Sequence, residues 1–221
     1  MNWSNNIEVF NESNMIVMGR YPDNYFDLAI VDPPYGIKKD GRKDMGKRKK
    51  SKNYTVKNYI AKKWDEEIPP EEYFVELKRV SKNWIVWGGN YFCKYFERID
   101  KLIEWDKCCE GMSFSQFEIA FTSFDGRNEK IKIPIQAESQ RRIHPTQKPV
   151  TLYKWLLLKY AKKGDKILDT HFGSGSHGIA LDSVNKIEKI ELTLVAAETD
   201  KEYYNQSKER FEKETAWQSI F

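Results

Sequence analysis

The chain has 221 residues, of which 40% are hydrophobic, 14% aromatic and 32% charged, with a formal net charge of +4. This composition is typical of one globular domain and excludes a disordered chain, which would hold few aromatic residues. No run of about 18 apolar residues occurs, and the first residues lack the charged and apolar regions of a signal peptide. Three cysteines form no C-x-x-C pair, and their odd number argues against a disulfide framework. We therefore expect a soluble, cytoplasmic protein without a membrane partner.

Short apolar runs predict seven strands, which alternate in places with four predicted helices. The predicted strands are Ile7–Phe10, Leu28–Val31, Trp84–Trp87, Lys101–Trp105, Phe117–Phe121, Lys166–Leu168 and Leu192–Ala197. The predicted helices are Glu71–Val80, Leu152–Ala161, Ser176–Val184 and Lys201–Glu212. Alternation of this kind predicts an α/β fold in which helices cover a sheet. The polar segment 125–142, with weak strand character at Lys130–Ile135, is expected to leave the sheet without forming a domain.

A basic segment, residues 38–63, holds twelve Lys or Arg against two Asp, a local balance of +10 that leaves −6 for the remaining chain. Its two central glycines and its lack of an apolar period predict a mobile loop. A solvated loop is one interpretation, and a loop that closes over nucleic-acid phosphates is the other. The expected DNA-binding residues are Lys38, Lys39, Arg42, Lys43, Lys47, Arg48, Lys49, Lys50 and Lys52.

The first chemical motif, D-P-P-Y, follows the predicted strand Leu28–Val31. Strand ends of this kind face the ligand crevice of open α/β sheets. Because prolines lack N–H groups, Asp32 and a carbonyl fixed by Pro33 form a paired acceptor suited to an exocyclic amino group. Tyr35 would stack on a base rotated out of a duplex. The alternative interpretation is a strand terminator without chemistry.

The second motif is a glycine turn, Gly173, Gly175 and Gly178, which matches G-x-G-x-x-G after a predicted strand. A dinucleotide site is one interpretation, with Glu198 placed to hold ribose hydroxyls. However, Asp169 precedes the turn, where it would repel a pyrophosphate and attract a cationic amino group. These features favour S-adenosylmethionine, a nucleoside that carries a positive charge and no phosphate.

A third string, H-P-T-Q-K-P within Arg142–Pro149, completes a motif order that resembles the β-class amino DNA methyltransferases from about Ile7 to Phe211. The resemblance implies one methyltransferase domain over residues 1–221, with a Rossmann-like fold and a circularly permuted motif order. It implies a mostly parallel seven-stranded sheet flanked by helices. It also implies S-adenosylmethionine as cofactor, DNA as partner and no metal, and it leaves a homodimer and a cognate restriction endonuclease open as partners.

Site residues follow from the resemblance position by position. The catalytic set is Asp32, Pro33, Pro34 and Tyr35. The cofactor set is Asp169 for the methionine amino group, Phe172, Gly173 and Gly175 for the pocket wall, Lys148 with Thr146 for the carboxylate, Glu198 for the ribose, and His144. The family usually has an Asp where Asn11–Asn14 stand here, so the residue that contacts the cofactor adenine stays open, with Glu12 and Ser13 as candidates.

Other conspicuous residues receive modest interpretations. His171 and His177 are interpreted as incidental, because no cluster of His, Cys or carboxylate has metal-ligand spacing. The Gly88–Asn90 turn is expected to line the pocket, and the pair Trp64–Asp65 is expected to reach the mouth of the site.

The expected activity is direct, in-line transfer of a methyl group to the N6 amine of adenine in DNA. The D-P-P-Y form favours adenine over cytosine N4, which stays open, as do RNA or protein-amide substrates and a catalytically inactive nucleic-acid-binding module. Residues of about 107–142 are the candidate target-recognition region, and they predict no recognition sequence. We expect a prokaryotic or phage origin and a role in DNA methylation linked to restriction–modification.

Overall fold

The structure is a computed structural model, and it describes residues 1–38, 65–112, 115–135 and 142–217. The expected DNA-binding residues from Lys39 to Lys52 lie outside the described residues, as do Trp64 and residues 113–114 and 136–141 of the candidate recognition region. Within the described ranges, no helix is long and apolar enough to cross a membrane.

A single mixed sheet forms the centre of the molecule. Its strands are β1 (Asn2–Ser4), β2 (Ile7–Phe10), β3 (Leu28–Val31), β4 (Trp84–Trp87), β5 (Lys101–Asp106), β6 (Phe117–Thr122), β7 (Glu129–Lys132), β8 (Lys166–Asp169) and β9 (Thr193–Ala197). They lie side by side in the order β1-β2-β9-β8-β3-β4-β6-β5-β7. The pairing is antiparallel only for β1 with β2 and for β6 with its two neighbours. The predicted α/β class and mostly parallel sheet are therefore confirmed.

The predicted number of seven strands is wrong, because the described residues form nine. The expectation that segment 125–142 leaves the sheet is also wrong for Glu129–Lys132, which pairs in parallel with β5. This strand is polar because it lies at an edge of the sheet, where Lys130 pairs with Glu104 at 2.6 Å and with Asp106 at 3.3 Å. Cross-strand ion pairs of this kind suit an exposed edge and hide the apolar alternation that sequence patterns detect.

Helices cover both faces of the sheet. They are α1 (Asn14–Met18), α2 (Glu71–Val80), α3 (Val150–Tyr160), α4 (Ser176–Glu188) and α5 (Lys201–Trp217). All four residues of β3 are buried, and they alternate between two apolar clusters, one shared with α2 and the other shared with α3 and α4. A strand buried on both faces needs the continuous apolar run that Leu28–Val31 supplies.

The strand order reverses between β3 and β8. The chain leaves β3 for its neighbour β4 through α2 on one face, and it leaves β8 for β9 through α4 on the opposite face. Such a reversal opens a crevice at the carboxyl ends of the two strands. Leu28 pairs with Ile167 and Ala29 with Leu168 in parallel, so Asp32 and Asp169 emerge at the same end of the sheet.

Helix α3 allows a matched test of which face is buried. Leu156 is fully buried, whereas Leu158, two residues later, is 53% exposed. We expect Leu156→Ala to lower the free energy of unfolding by about 2–5 kcal/mol, because it leaves a cavity between α3 and the sheet. The same substitution at Leu158 should change it by about 0.5 kcal/mol or less. Urea unfolding of both variants measures this difference, and equal losses would contradict the packing of α3.

Candidate active site

The D-P-P-Y motif forms a rigid turn at the end of β3. Strand β3 ends at Val31, just before Asp32, and it cannot continue because neither Pro33, which is buried, nor Pro34, which is half-buried, can donate to a sheet hydrogen bond. The carboxylate of Asp65 accepts the N–H groups of Tyr35, at 2.7 Å, and of the next residue, at 2.9 Å. Asp65 is 2% exposed. Asp65 therefore stabilises the turn by these two hydrogen bonds, and it lies directly beside the D-P-P-Y motif.

The ring of Tyr35 is packed on the turn that follows β4. Gly88 has a φ of +71°, and a Cβ atom placed there would lie 2.2 Å from Cε1 of Tyr35. Only glycine tolerates both this backbone conformation and this approach. Tyr91 lies stacked against Tyr35, with ring centroids 5.0 Å apart and planes inclined by 14°. The Gly88–Asn90 turn thus packs against the tyrosine of the D-P-P-Y motif, and its place in a ligand pocket stays a prediction.

A buried ammonium joins the motif to two other parts of the chain. Nζ of Lys148 lies 2.5 Å from Oδ1 of Asp32 and 3.0 Å from Oε2 of Glu118. It also donates to the hydroxyl oxygen of Tyr35 at 3.1 Å, and that hydroxyl donates to Oδ1 of Asp32 at 2.6 Å. An ammonium has three N–H groups, and these contacts engage all of them. In this structure Lys148 therefore contacts the D-P-P-Y side of the crevice, whereas the resemblance implies the methionine carboxylate as its partner.

The two carboxylates of this cluster differ in their surroundings. Glu118 receives a second cation, since Nζ of Lys107 lies 2.6 Å from its Oε1. Burial raises the pKa of Glu118, but Lys148 and Lys107 outweigh burial and hold it at about 2. For Asp32, burial raises the pKa, Lys148 opposes this only in part, and the charge of Glu118 adds to the increase. One carboxylate is thus held ionised while its neighbour is made more basic.

Sequence reasoning missed Glu118 and Lys107. Neither residue belongs to a motif, because Glu118 is one acidic side chain inside an otherwise apolar strand, Phe117–Thr122. That interruption was the only available signal. A charged residue inside a strand of a folded sheet requires a partner, and the partner here lies thirty residues away in sequence.

The carboxylate of Asp169, at the end of β8, is held by two hydrogen bonds. The backbone N–H of His171 donates to Oδ1, and Nδ1 of His177 lies 3.0 Å from Oδ2, both inside the protein. The imidazole of His177 stacks on Tyr153 at 4.6 Å. Nε2 of His171 lies 3.1 Å from Nδ2 of Asn14, and burial lowers the pKa of His171 to about 4. The interpretation of His177 as incidental did not anticipate this contact, which forms because α4 folds back over the strand end and brings the His177 ring onto Asp169.

The glycine turn after Asp169 is bonded to a second carboxylate, that of Glu198, which follows β9. Oε2 of Glu198 accepts the N–H of Gly173, and Oε1 accepts the N–H of Asp200, each at 2.8 Å. Burial raises the pKa of Glu198 to about 7 despite these two hydrogen bonds. A Cβ atom at Gly173 would meet nothing closer than 3.8 Å, so the surface of the turn is open to a ligand. Gly175, with a φ of +75°, caps the start of α4.

Phe172 lies behind this turn rather than facing the crevice. Its ring is 4% exposed and packs edge-on against Trp3, with centroids 5.3 Å apart. A Cβ atom at Gly178 would lie 2.9 Å from its Cζ, so the ring fills the space below α4. Phe172 therefore shapes the pocket only indirectly, by supporting the glycine turn from the core.

The H-P-T-Q-K-P segment spans both sides of the crevice. The ring of His144 lies 4.4 Å from that of Tyr203 in α5, close in sequence to Glu198. The hydroxyl of Thr146 lies 3.1 Å from Nδ1 of His144. Two residues later Lys148 reaches the carboxylate cluster. His144 and Thr146 are thus on the side of the glycine turn, and Lys148 is on the side of D-P-P-Y.

The segment Asn11–Asn14, at the end of β2, lies beside the same turn. Nδ2 of Asn11 donates to the carbonyl oxygen of Glu198 at 2.8 Å. Glu12 is half-exposed and forms an ion pair with Arg20. Within this segment, Asn11 is therefore the residue that is hydrogen-bonded to the backbone of Glu198, the candidate for binding the ribose.

The carboxylates around the glycine turn fit a cationic nucleoside better than a phosphate ligand. Asp169 and Glu198 present carboxylates on either side of an open glycine turn, and carboxylates attract an amino group and accept hydrogen bonds from hydroxyls. A pyrophosphate in this position would meet two like charges. Within the described part of the chain, no group of three or more His, Cys, Asp or Glu residues could hold a metal ion.

Comparison with known proteins identifies the family. The family model N6_N4_Mtase, described as DNA methylase, matches residues 86–209. The Type II methyltransferase M.HpaI of Haemophilus parainfluenzae is 24% identical over 87% of this chain and 70% of its own length.

Solved structures support the fold. The M1.HpyAVI–SAM complex aligns with 92% of this chain and 99% of its own, at 15% identity and a TM-score of 0.57. The cytosine-N4-specific PvuII DNA methyltransferase aligns with 96% of this chain and 92% of its own, at 11% identity and a TM-score of 0.59. Because the family match extends over more than half of the chain, the protein belongs to the N6/N4 DNA methylase family.

Proposed function

We propose that this DNA methylase transfers a methyl group from S-adenosylmethionine to the N6 amine of adenine in DNA. One observation carries the proposal: the amine-acceptor motif follows β3, and two carboxylates suited to a cationic nucleoside, Asp169 and Glu198, lie at the same ends of the next parallel strands, β8 and β9. Neighbouring strands lie about 5 Å apart, which supports binding of the two reacting groups side by side at this end of the sheet.

S-adenosylmethionine, the methyl donor of this family, would supply an activated methyl group bonded to a sulfonium. Asp169, oriented by His177, would bind the methionine amino group. Glu198 would accept the ribose hydroxyls with the lone pairs that its two N–H bonds leave over. Because Lys148 is engaged by protein groups, the methionine carboxylate is assigned to Thr146 and His144 on the same segment.

Asp32 would bind the target amine. The amine of adenine is a poor nucleophile, since its lone pair is delocalised into the ring. Asp32 and the carbonyl of Pro33 would each accept one of its hydrogens, which favours a pyramidal nitrogen. A nitrogen–carbon bond then forms as the sulfur–carbon bond breaks, and the methylated amine loses one proton. Tyr35 would stack on the flipped base by joining or displacing Tyr91.

Cytosine N4 is the second candidate. Its exocyclic amine requires the same acceptors, and the PvuII enzyme, whose title names cytosine N4, shares this fold. The D-P-P-Y form supports adenine. RNA, protein-amide and purely binding functions receive less support, because the family model describes a DNA methylase.

DNA contacts remain proposals from the sequence. We assign the phosphates to Lys38 and to the basic residues 39–52. The candidate recognition region, about 107–142, contributes strands β6 and β7 to the sheet, so base reading would fall to its surface loops. The bacterial Type II relative supports a cytoplasmic, restriction–modification role with a partner endonuclease. A homodimer is proposed on the resemblance alone.

A product assay tests the proposed function. The protein is incubated with unmethylated DNA and labelled S-adenosylmethionine, and the digested DNA is analysed by nucleoside mass spectrometry. We expect N6-methyl-deoxyadenosine. Label on N4 of deoxycytidine would replace adenine with the second candidate, and absence of label from DNA would contradict both.

Asp32→Ala tests the acceptor assignment. We expect kcat to fall by about 100-fold or more, because preorganised acceptors of developing charge contribute effects of this size. Binding of S-adenosylmethionine, measured by calorimetry, should stay within about threefold. Asp27→Ala is the matched control, since Asp27 lies just before the opposite end of β3 and pairs with Lys82. Near-normal turnover in Asp32→Ala would remove Asp32 from the mechanism.

Glu198 predicts a pH dependence of cofactor binding. Its folded-state pKa of about 7 means that the carboxyl is mostly protonated at pH 6 and mostly ionised at pH 8. The ionised form accepts two hydroxyls, so affinity for S-adenosylmethionine should increase with pH across this interval. Glu198→Gln should lose that component, whereas Glu202→Gln, in the exposed first turn of α5, should retain it. Any titration of the ligand itself is common to all three proteins, so identical pH slopes would contradict the assignment.

A further inference from the structure

The D-P-P-Y side of the crevice, called the amine side from here on, contains a second carboxylate, Glu118. The proposed methyl transfer gives this carboxylate no role. Glu118 lies on β6, separated from β3 by β4, yet it shares the Lys148 ammonium with Asp32. Both of its oxygens are occupied, Oε1 by Lys107 and Oε2 by Lys148. A buried pair of lysines and a pair of carboxylates balance in charge, but they are not equivalent in geometry.

The difference lies in the oxygens that remain free. Within the part of the chain that the structure describes, the contacts of Lys148 and of the Tyr35 hydroxyl with Asp32 both end on Oδ1. Since a carboxylate accepts on both oxygens, Oδ2 is left for a group outside the cluster. Glu118 has no comparable oxygen.

We infer that Glu118 is a positioning residue: anchored by Lys107, it holds the Lys148 ammonium on Oδ1 of Asp32 and so leaves Oδ2 to receive the proton that the methylated amine loses. The inference rests on the proposed function. In the balanced step, the nitrogen gains the methyl group, the sulfonium becomes a neutral thioether, and the proton moves from nitrogen to Oδ2 and then to solvent.

Charge supports this division of roles. Glu118, with a pKa of about 2, stays ionised and cannot take the proton. Asp32 has a raised pKa because burial and the charge of Glu118 outweigh Lys148. Two titratable groups whose environments separate their pKa values are the usual mark of an acid–base assignment.

The remaining groups around Asp32 stay neutral. Tyr35 from the motif, Tyr73 from α2 and Tyr153 from α3 interact electrostatically with it, and burial raises the pKa of each phenol. Lys148 is charged, because the carboxylates of Asp32 and Glu118 raise its pKa although burial lowers it. The charge state of Asp32 is therefore set by Lys148 and Glu118.

The test removes the charge of Glu118 and keeps its shape. In Glu118→Gln we expect the pKa of Asp32 to fall, since the like charge is gone and Lys148 acts on Asp32 alone. The acidic limb of the kcat–pH profile should move to lower pH. The plateau of kcat should fall by about tenfold, because Asp32 becomes a weaker base, with KM for DNA unchanged.

Glu129→Gln is the matched control. Glu129 also pairs with two lysines, Lys101 and Lys159, and its side chain is 19% exposed against 21% for Glu118. It lies on the edge strand β7, away from Asp32. We expect Glu129→Gln to alter stability alone. An equal shift of the pH profile in both variants would overturn the inference.

A second variant should shift the pKa of Asp32 in the opposite direction. Lys107→Gln removes the anchor, so Glu118 attracts Lys148 more strongly and the pKa of Asp32 should rise. A structural role alone would shift both variants in the same direction or not at all. This variant also keeps the inference testable if Glu118→Gln fails to fold.

The titration of Asp32 is also read without catalysis, by carboxyl NMR of the cofactor-free protein. Unchanged Asp32 titration in both variants would overturn the inference. If the wild-type protein transfers no methyl group to DNA, the proposed function fails, while the NMR titration still decides whether Glu118 and Lys107 control Asp32.

Discussion

The ammonium of Lys148 is the charge on which the amine side of the crevice depends. A buried ammonium loses its hydration, which costs several kcal/mol unless carboxylates and hydroxyls take the place of water. Asp32, Glu118 and Tyr35 do so from two strands separated by a third. The ion thereby joins the D-P-P-Y turn, the antiparallel part of the sheet and the segment before α3. Such clusters add little net stability, and their main effect here is to specify one arrangement of the site.

Local patterns were sufficient for most of the fold. All seven predicted strands are present, and α2 has the predicted bounds, because buried strands and amphipathic helices carry continuous or periodic apolar signals. The edge strands β1 and β7 escaped prediction for the opposite reason. Each is short, and β7 is stabilised by ion pairs such as that of Lys130 rather than by an apolar run.

Site residues that stand at the end of an apolar strand could be predicted from the sequence. Site residues that reach the crevice only through the pairing of strands or the packing of a helix could not. Asp32 and Asp169 each terminate an apolar run, so their position at the crevice could be inferred. Glu118 and His177 have no such signal, because only the folded register of β6 and the return of α4 bring them to their partners. The H-P-T-Q-K-P motif likewise predicts that Lys148 belongs to the site, but it does not predict its partners. In the structure these partners are Asp32, Glu118 and Tyr35.

The proposed methyl transfer divides its tasks between the sheet and the loops. Asp32 and Asp169 follow or end neighbouring strands, so under the proposed function the sheet itself would set the spacing between the target amine and the methyl donor. Adenine and cytosine present the same exocyclic amine to that geometry. Discrimination between them must come from contacts around the ring, which the sheet ends do not supply. Under the proposed function, the groups that act on the amine belong to the core of this protein, and the choice of base would belong to its periphery.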